Sequence, residues 1–139
     1  MSDTAMITMA MLIDDDNIDH MLFQRVAERS GLIKHQLRFQ YADEALEYLR
    51  RDDREDVDVI FLDINMPRMS GLEFLERAST ELGDEFAKNV VVMLSTSMLP
   101  EDREIATSYS VVKDFINKPL TVEDVKEVCR LLSNLDQAA

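Results

Sequence analysis

Five times along the chain an apolar run is followed by a stretch with helical spacing, and this alternation restricts the fold more than any other feature. The runs are Thr8 to Ile13 (starting as early as Ala5 on the widest reading), Leu37 to Tyr41, Val59 to Leu62, Val90 to Leu94 and Lys113 to Ile116. After the first, Asp16 or Asn17 can cap a helix, and Ile18, Met21, Leu22 and Val26 then share one face until Gly31 stops it. The second run alternates Leu37, Phe39 and Tyr41 with polar residues, as an edge strand does, and Ala42, Ala45, Leu46 and Leu49 follow as a helix face. Ser70 can cap a third helix with Leu75, Ala78 and Leu82 inside, and a fourth runs from Pro100 to Tyr109. Thr121 opens the last, with Glu123 and Asp124 in its first turn and Val125, Val128, Cys129 and Leu132 facing inward.

Such alternation predicts parallel strands joined by right-handed crossovers, that is, an α/β three-layer sandwich with a five-stranded parallel sheet and five helices. Strands that are apolar throughout fit a sheet covered on both faces. One domain spanning 1–139, with its core at about 8–135, accounts for all 139 residues.

Charge narrows the partners. Twenty-eight acids against 15 bases leave a formal charge of −13. That surface repels nucleic acid and anionic membranes and suits a cation or a protein partner. No stretch reaches the roughly 18 apolar residues of a membrane span. The run from Ala5 to Ile13 is preceded by no basic residue, so no secretory signal is expected and the location reads as cytoplasmic. The lone Cys129 excludes an intrachain disulfide and any cysteine-based metal site. His20 and His35 have no second ligand at useful spacing and read as solvated polar residues. The acids at 52–58 read as a solvated loop, and most of the nine methionines as core.

Four of the five strands end on residues with chemical potential: Asp14 and Asp15, Asp63, Ser95 or Thr96, and Lys118. In a parallel sheet these ends share one edge, and with strand order 2-1-3-4-5 the first and third strands flank the topological switch point. The three carboxylates then meet in one crevice. Two carboxylates about 5 Å apart repel by roughly 3 kcal/mol at an effective dielectric of about 20. The pocket should therefore raise a carboxyl pKa or recruit a cation, and its oxygen donors suit magnesium. An acid able to attack, a divalent ion, a hydroxyl donor and a lysine make a phosphoryl-transfer site. With three glycines in the chain there is no Gly-rich phosphate loop, so a bound nucleotide is not implied.

These residues resemble the receiver domain of two-component response regulators, most closely the stand-alone kind similar to the chemotaxis regulator. The likeness rests on Leu-Ile-Asp-Asp-Asp at 12–16, Phe-Leu-Asp-Ile-Asn-Met-Pro-Arg-Met-Ser-Gly at 61–71, Val-Met-Leu-Ser-Thr-Ser at 92–97 and Asp-Phe-Ile-Asn-Lys-Pro-Leu at 114–120. It implies a flavodoxin-like fold without an output domain. It also implies Asp63 as phosphoacceptor from a histidine kinase or phosphotransfer protein, and a signalling role in place of enzymatic turnover. The resemblance assigns magnesium (or manganese) to Asp14, Asp15, Asp63 and the main-chain carbonyl of Asn65, and phosphoryl pairing to Lys118, with a cis peptide before Pro119. Ser95 takes the switch hydroxyl position, preferred to Thr96 because it directly follows the apolar run. Phe115 takes the aromatic switch position, and Asn65 and Ser97 tune dephosphorylation. Signalling then passes through a change in residues 95–120 to a protein target or onward along a relay, and the family often pairs through the fourth-helix to fifth-helix face.

Two departures stand out. Ser108-Tyr109-Ser110 replaces a glycine common before the fifth strand, and Phe115 lacks the hydroxyl of the tyrosine found in some members. Competing readings fit less well. A haloacid-dehalogenase-like phosphatase wants a second acid where Asn65 stands. A flavodoxin-like electron carrier wants a hydroxyl- and glycine-rich loop where three aspartates stand. A receiver that has lost phosphorylation would not keep every catalytic position filled.

Overall fold

Residues 6–83, 86, 90–96 and 98–138 are described by the computed structural model, the last four of them by backbone alone. The elements alternate as β1 (Ile7–Ile13), α1 (Asn17–Ser30), β2 (Ile33–Phe39), α2 (Ala42–Leu49), β3 (Val59–Asp63), α3 (Gly71–Leu82), β4 (Val90–Ser95), α4 (Pro100–Thr107), β5 (Val112–Asn117) and α5 (Val122–Ala138). All strand pairs are parallel, in the order β2-β1-β3-β4-β5. The expected three-layer architecture and strand order are therefore present.

Alternation along the strands divides the core in two. Met11, Ile13, Ile60 and Leu62 point to one face and pack with Ala45 and Leu46 of α2, Phe74 and Leu75 of α3 and Ala106 of α4. Ala10, Leu12, Val59 and Phe61 point to the other, against Phe23 of α1 and Val125, Val128, Cys129 and Leu132 of α5. Phe23 meets Phe61 edge-on at 5.4 Å between ring centres, and all four expected inner residues of α5 are buried.

Caps set several boundaries. The Asp16 carboxylate accepts from the Ile18 N–H, and Gly31 closes α1 in the left-handed conformation at φ 66°. Ser70 and Glu73 form a reciprocal capping box at the start of α3, and Thr121 and Asp124 exchange equivalent bonds before α5.

Three expectations need correction. β2 begins at Ile33 and ends at Phe39, because an edge backbone pairs with β1 whatever its side chains; Ile7 lies opposite Ile33 and Met9 opposite His35. Tyr41 leaves the strand and caps α2 instead. The inner face of α1 is His20, Phe23 and Ala27, with Val26 half-buried against the same core as expected, while Ile18 and Met21 are 60% and 45% exposed. Two overlapping stripes run along this helix, and the largest side chain, Phe23, decides which one turns inward. The 52–58 segment is not simply solvated. The Asp58 carboxylate accepts from the Thr8 and Met9 N–H groups at 3.0 Å each, and the Arg54 guanidinium donates to the carbonyls of Leu49, Glu55 and Phe86. The alternative strand start at Ala5 and most of the 83–89 loop lie outside the described residues.

Candidate functional site

The carboxyl ends of β1, β3, β4 and β5 deliver their polar residues to one edge. Asp63 is the last residue of β3, and Asp14 follows β1 directly. One carboxylate oxygen each from Asp14, Asp15 and Asp63 lies within 4.8 Å of the others, Asp14 and Asp63 buried and Asp15 exposed. Lys118, just past β5, brings its ammonium to 2.8 Å from Asp14 Oδ2 and 3.3 Å from Asp63 Oδ1. The Lys118 N–H donates to the Ser95 carbonyl at 2.8 Å, which ties the lysine to the end of β4, and the Lys118–Pro119 peptide is cis.

Burial governs the electrostatics. It pushes the Asp14 carboxyl up to about 7, against the opposing pull of Lys118 and the Asp16 N–H. Asp63 is raised for the same reason, with Lys118 and the Asn65 main chain opposing. Burial alone would lower the lysine, but its bonds to carboxylates outweigh that and its pKa is raised. Asp14 Oδ2 is fully buried, and no donor among the described residues makes a well-directed hydrogen bond to it, despite the ammonium nearby. A hard cation would satisfy that oxygen, so the donor set fits magnesium.

The loop after Asp63 is held from several sides. Ile64 donates to the Leu94 carbonyl and Gly71 to the Ile64 carbonyl at 2.8 Å. Gly71 opens α3 and serves close approach: a Cβ there would sit 2.4 Å from the Asp63 carbonyl oxygen. Arg68 adopts φ 69°, rare for a side chain with a Cβ, with its guanidinium 3.9 Å above the Tyr41 ring and paired with Asp43.

The response regulator receiver domain model matches residues 10–130. The chain belongs to this family. Aspartate phosphorylation and magnesium binding in an acidic pocket are features of receiver domains. The receiver is 30% identical over 119 residues to a probable methanogenesis regulatory protein, FilR2, of Methanothrix harundinacea, covering 84% of this chain and 75% of that one. It is 30% identical over 115 residues to the sensory/regulatory protein RpfC of Xanthomonas campestris, covering 81% of this chain but 15% of that protein. A two-component response regulator from Cytophaga hutchinsonii superposes with a TM-score of 0.82 at 26% identity, covering 93% of this chain and 98% of that one.

The remaining expected positions divide. Ser95 is buried at the end of β4, whereas Thr96 is exposed. Asn65 is exposed beside Asp63, and Ser97 lies outside the described residues. Phe115, on β5, is half-buried, and the Arg103 guanidinium of α4 covers its ring at 4.6 Å. Among the described residues no helix is long and apolar enough to cross a membrane.

Two polar residues of α1 were not anticipated. His20, expected in solvent, is buried, and its Nε2–H donates to the Asp14 carbonyl at 2.6 Å. Asp19 places Oδ2 2.8 Å from the Lys118 ammonium. Helical phase offered one signal for both. With Phe23 inside, His20 must also turn inward, and Asp19 must lean toward the strand ends. His35 is exposed, as expected.

Proposed function

We propose that this receiver accepts a phosphoryl group on Asp63 from a histidine kinase or phosphotransfer protein and signals through residues 95–120. The observation that carries the reading is the meeting of Asp63, Asp14, Asp15 and Lys118 at one sheet edge. An Asp63 carboxylate oxygen attacks the donor phosphorus; a P–O bond forms while the P–N bond to the donor histidine breaks, and the leaving nitrogen keeps the electron pair. Lys118 neutralises charge on the transferring group, and Ser95 donates a hydrogen bond to it. Asp14, Asp15, Asp63 and the Asn65 carbonyl would hold magnesium, which would supply further charge neutralisation.

The product is a signal, not a turned-over substrate. A phosphoryl group adds about −1.5 to −2 charge beside Lys118, which biases the β4, α4 and β5 region between two arrangements. Phe115 has no hydroxyl to offer there, so its switch works through ring burial against Arg103. Asn65 and Ser97 set the phosphoryl lifetime. The acidic surface directs output to a protein target in the cytoplasm, or to a second copy through α4 and α5, and away from nucleic acid and membrane.

Incubation with magnesium and acetyl phosphate tests this. Intact mass should rise by one acid-labile phosphoryl group, and Asp63→Asn should stay unlabelled. Equal labelling of the variant, or none of the wild type, overturns the reading.

A further inference from the structure

Asp19 belongs to neither the expected metal set nor the switch, yet it makes one of the shortest contacts in the pocket. The Lys118 ammonium lies 2.8 Å from Asp14 Oδ2, 2.8 Å from Asp19 Oδ2 and 3.3 Å from Asp63 Oδ1. A lysine has three N–H donors and here meets three carboxylates. An acid in the first turn of a helix is ordinarily explained by the helix dipole, which asks only that the side chain sit near the N-terminus in water. Asp19 does more than that. Its side chain is 23% exposed and reaches a lysine 99 positions away. A cavity of about 20 Å³ adjoins this contact, lined by Asp14, Asp19 and Lys118 with Leu22, Phe23 and Leu94, which is room for about one water.

The three carboxylates differ in what becomes of them. In the reaction proposed above, Asp14 turns to the metal and Asp63 becomes the acyl phosphate. Asp19 alone keeps its claim on the ammonium. We propose that Asp19 is a positioning residue acting through Lys118: it holds the ammonium in the resting protein and competes for it with the phosphoryl group. It thereby divides the ammonium between α1 and the two strand-end carboxylates, so that Asp14 and Asp63 hold it less tightly and their oxygens stay available to the cation, and it shortens the life of the phosphorylated state. This role rests on the phosphoacceptor reading, because the competitor is the phosphoryl group on Asp63.

A double-mutant cycle with Asp19→Asn and Lys118→Gln on the full chain separates action through the lysine from a plain charge effect. Calorimetric titration with magnesium alone should show Asp19→Asn weakening binding about three- to tenfold with Lys118 present, and less than about twofold in the Lys118→Gln background. After labelling with acetyl phosphate and removal of the donor, intact mass should show the phosphoryl half-life of Asp19→Asn lengthened about threefold, again only with Lys118 present. Asp19→Glu, which keeps the charge, should stay near wild type in both. Asp19→Ser serves the same cycle should the melting curve of Asp19→Asn reveal a damaged helix. Equal effects in both backgrounds, no effect, or a shortened half-life overturns the proposal. If the wild type takes no phosphoryl group, the phosphoacceptor reading falls by itself, and the magnesium cycle still decides whether Asp19 acts through Lys118.

Discussion

The molecule carries two populations of paired charge that use the same residue types to opposite effect. On the surface, Arg50 bridges Glu47 and Glu81, Arg51 holds Asp53, and Arg68 holds Asp43. In the pocket, Lys118 meets Asp14, Asp19 and Asp63. Arg68 and Arg51 hold the Asp43 and Asp53 carboxyls below their usual range, as neighbouring cations do in water. Asp14 and Asp63 go the other way, because burial costs their charged forms more than one shared lysine returns. Surface charge of this kind keeps a protein soluble. The pocket instead holds more buried negative charge than Lys118 offsets, which favours a cation there.

The comparison breaks most visibly where the pocket depends on backbone. Gly71→Ala forces a Cβ into the Asp63 carbonyl, so α3 or the end of β3 must move. We expect a loss of about 3 kcal/mol or more in urea unfolding, together with weakened magnesium binding. No surface pair has such a dependence on a single hydrogen atom.

Asp14→Asn sharpens the contrast by removing the demand itself. Magnesium affinity should fall at least about tenfold by calorimetry. The metal-free variant should nevertheless melt higher than wild type at pH 8. The folded Asp14 carboxyl titrates near 7 and the unfolded one near 3.8, so between those values the folded state binds more protons. Stability from this group is therefore present at low pH and lost as pH rises through about 7. The advantage of the variant should shrink at pH 5.5, and magnesium should raise the wild-type melting temperature more at pH 8 than at pH 5.5.

Arg50→Ala is the small end of the scale. Its two ion pairs lie in solvent, so the loss should stay below about 1 kcal/mol by urea unfolding and fade further in high salt, with magnesium binding unchanged.

How much of this could be read from the chain depended on whether the cause was local. Val59 to Leu62 announce a buried strand, so the position of Asp63 at its end follows from five consecutive residues. Capping explains Ser70 and Gly31 in the same way, and the inner face of α5 follows from period alone. Asp19 and Asp58 were missed because each is defined by a partner elsewhere in the fold. Asp58 answers the start of β1, and Asp19 answers a lysine at the far end of the chain. In α1 the local signal was itself double, and only the bulk of Phe23 against Phe61 resolves it. Gly71 stands in the 61–71 motif, but a motif does not show the Asp63 carbonyl that requires a glycine there.

Lys118 and Phe115 both belong to the β5 segment, which has β4 as its single neighbour in the sheet and a register shift in that pairing at Val91/Val92. Asp63, by contrast, ends a strand clamped on both sides. The sheet is thus graded in support: two paired neighbours beneath Asp63, one beneath Phe115 and Lys118. In the phosphoacceptor reading proposed above, a displacement begun at the lysine would spread into the edge at less cost than into the centre, so that the signal would travel outward while the Asp63 carboxylate stays still.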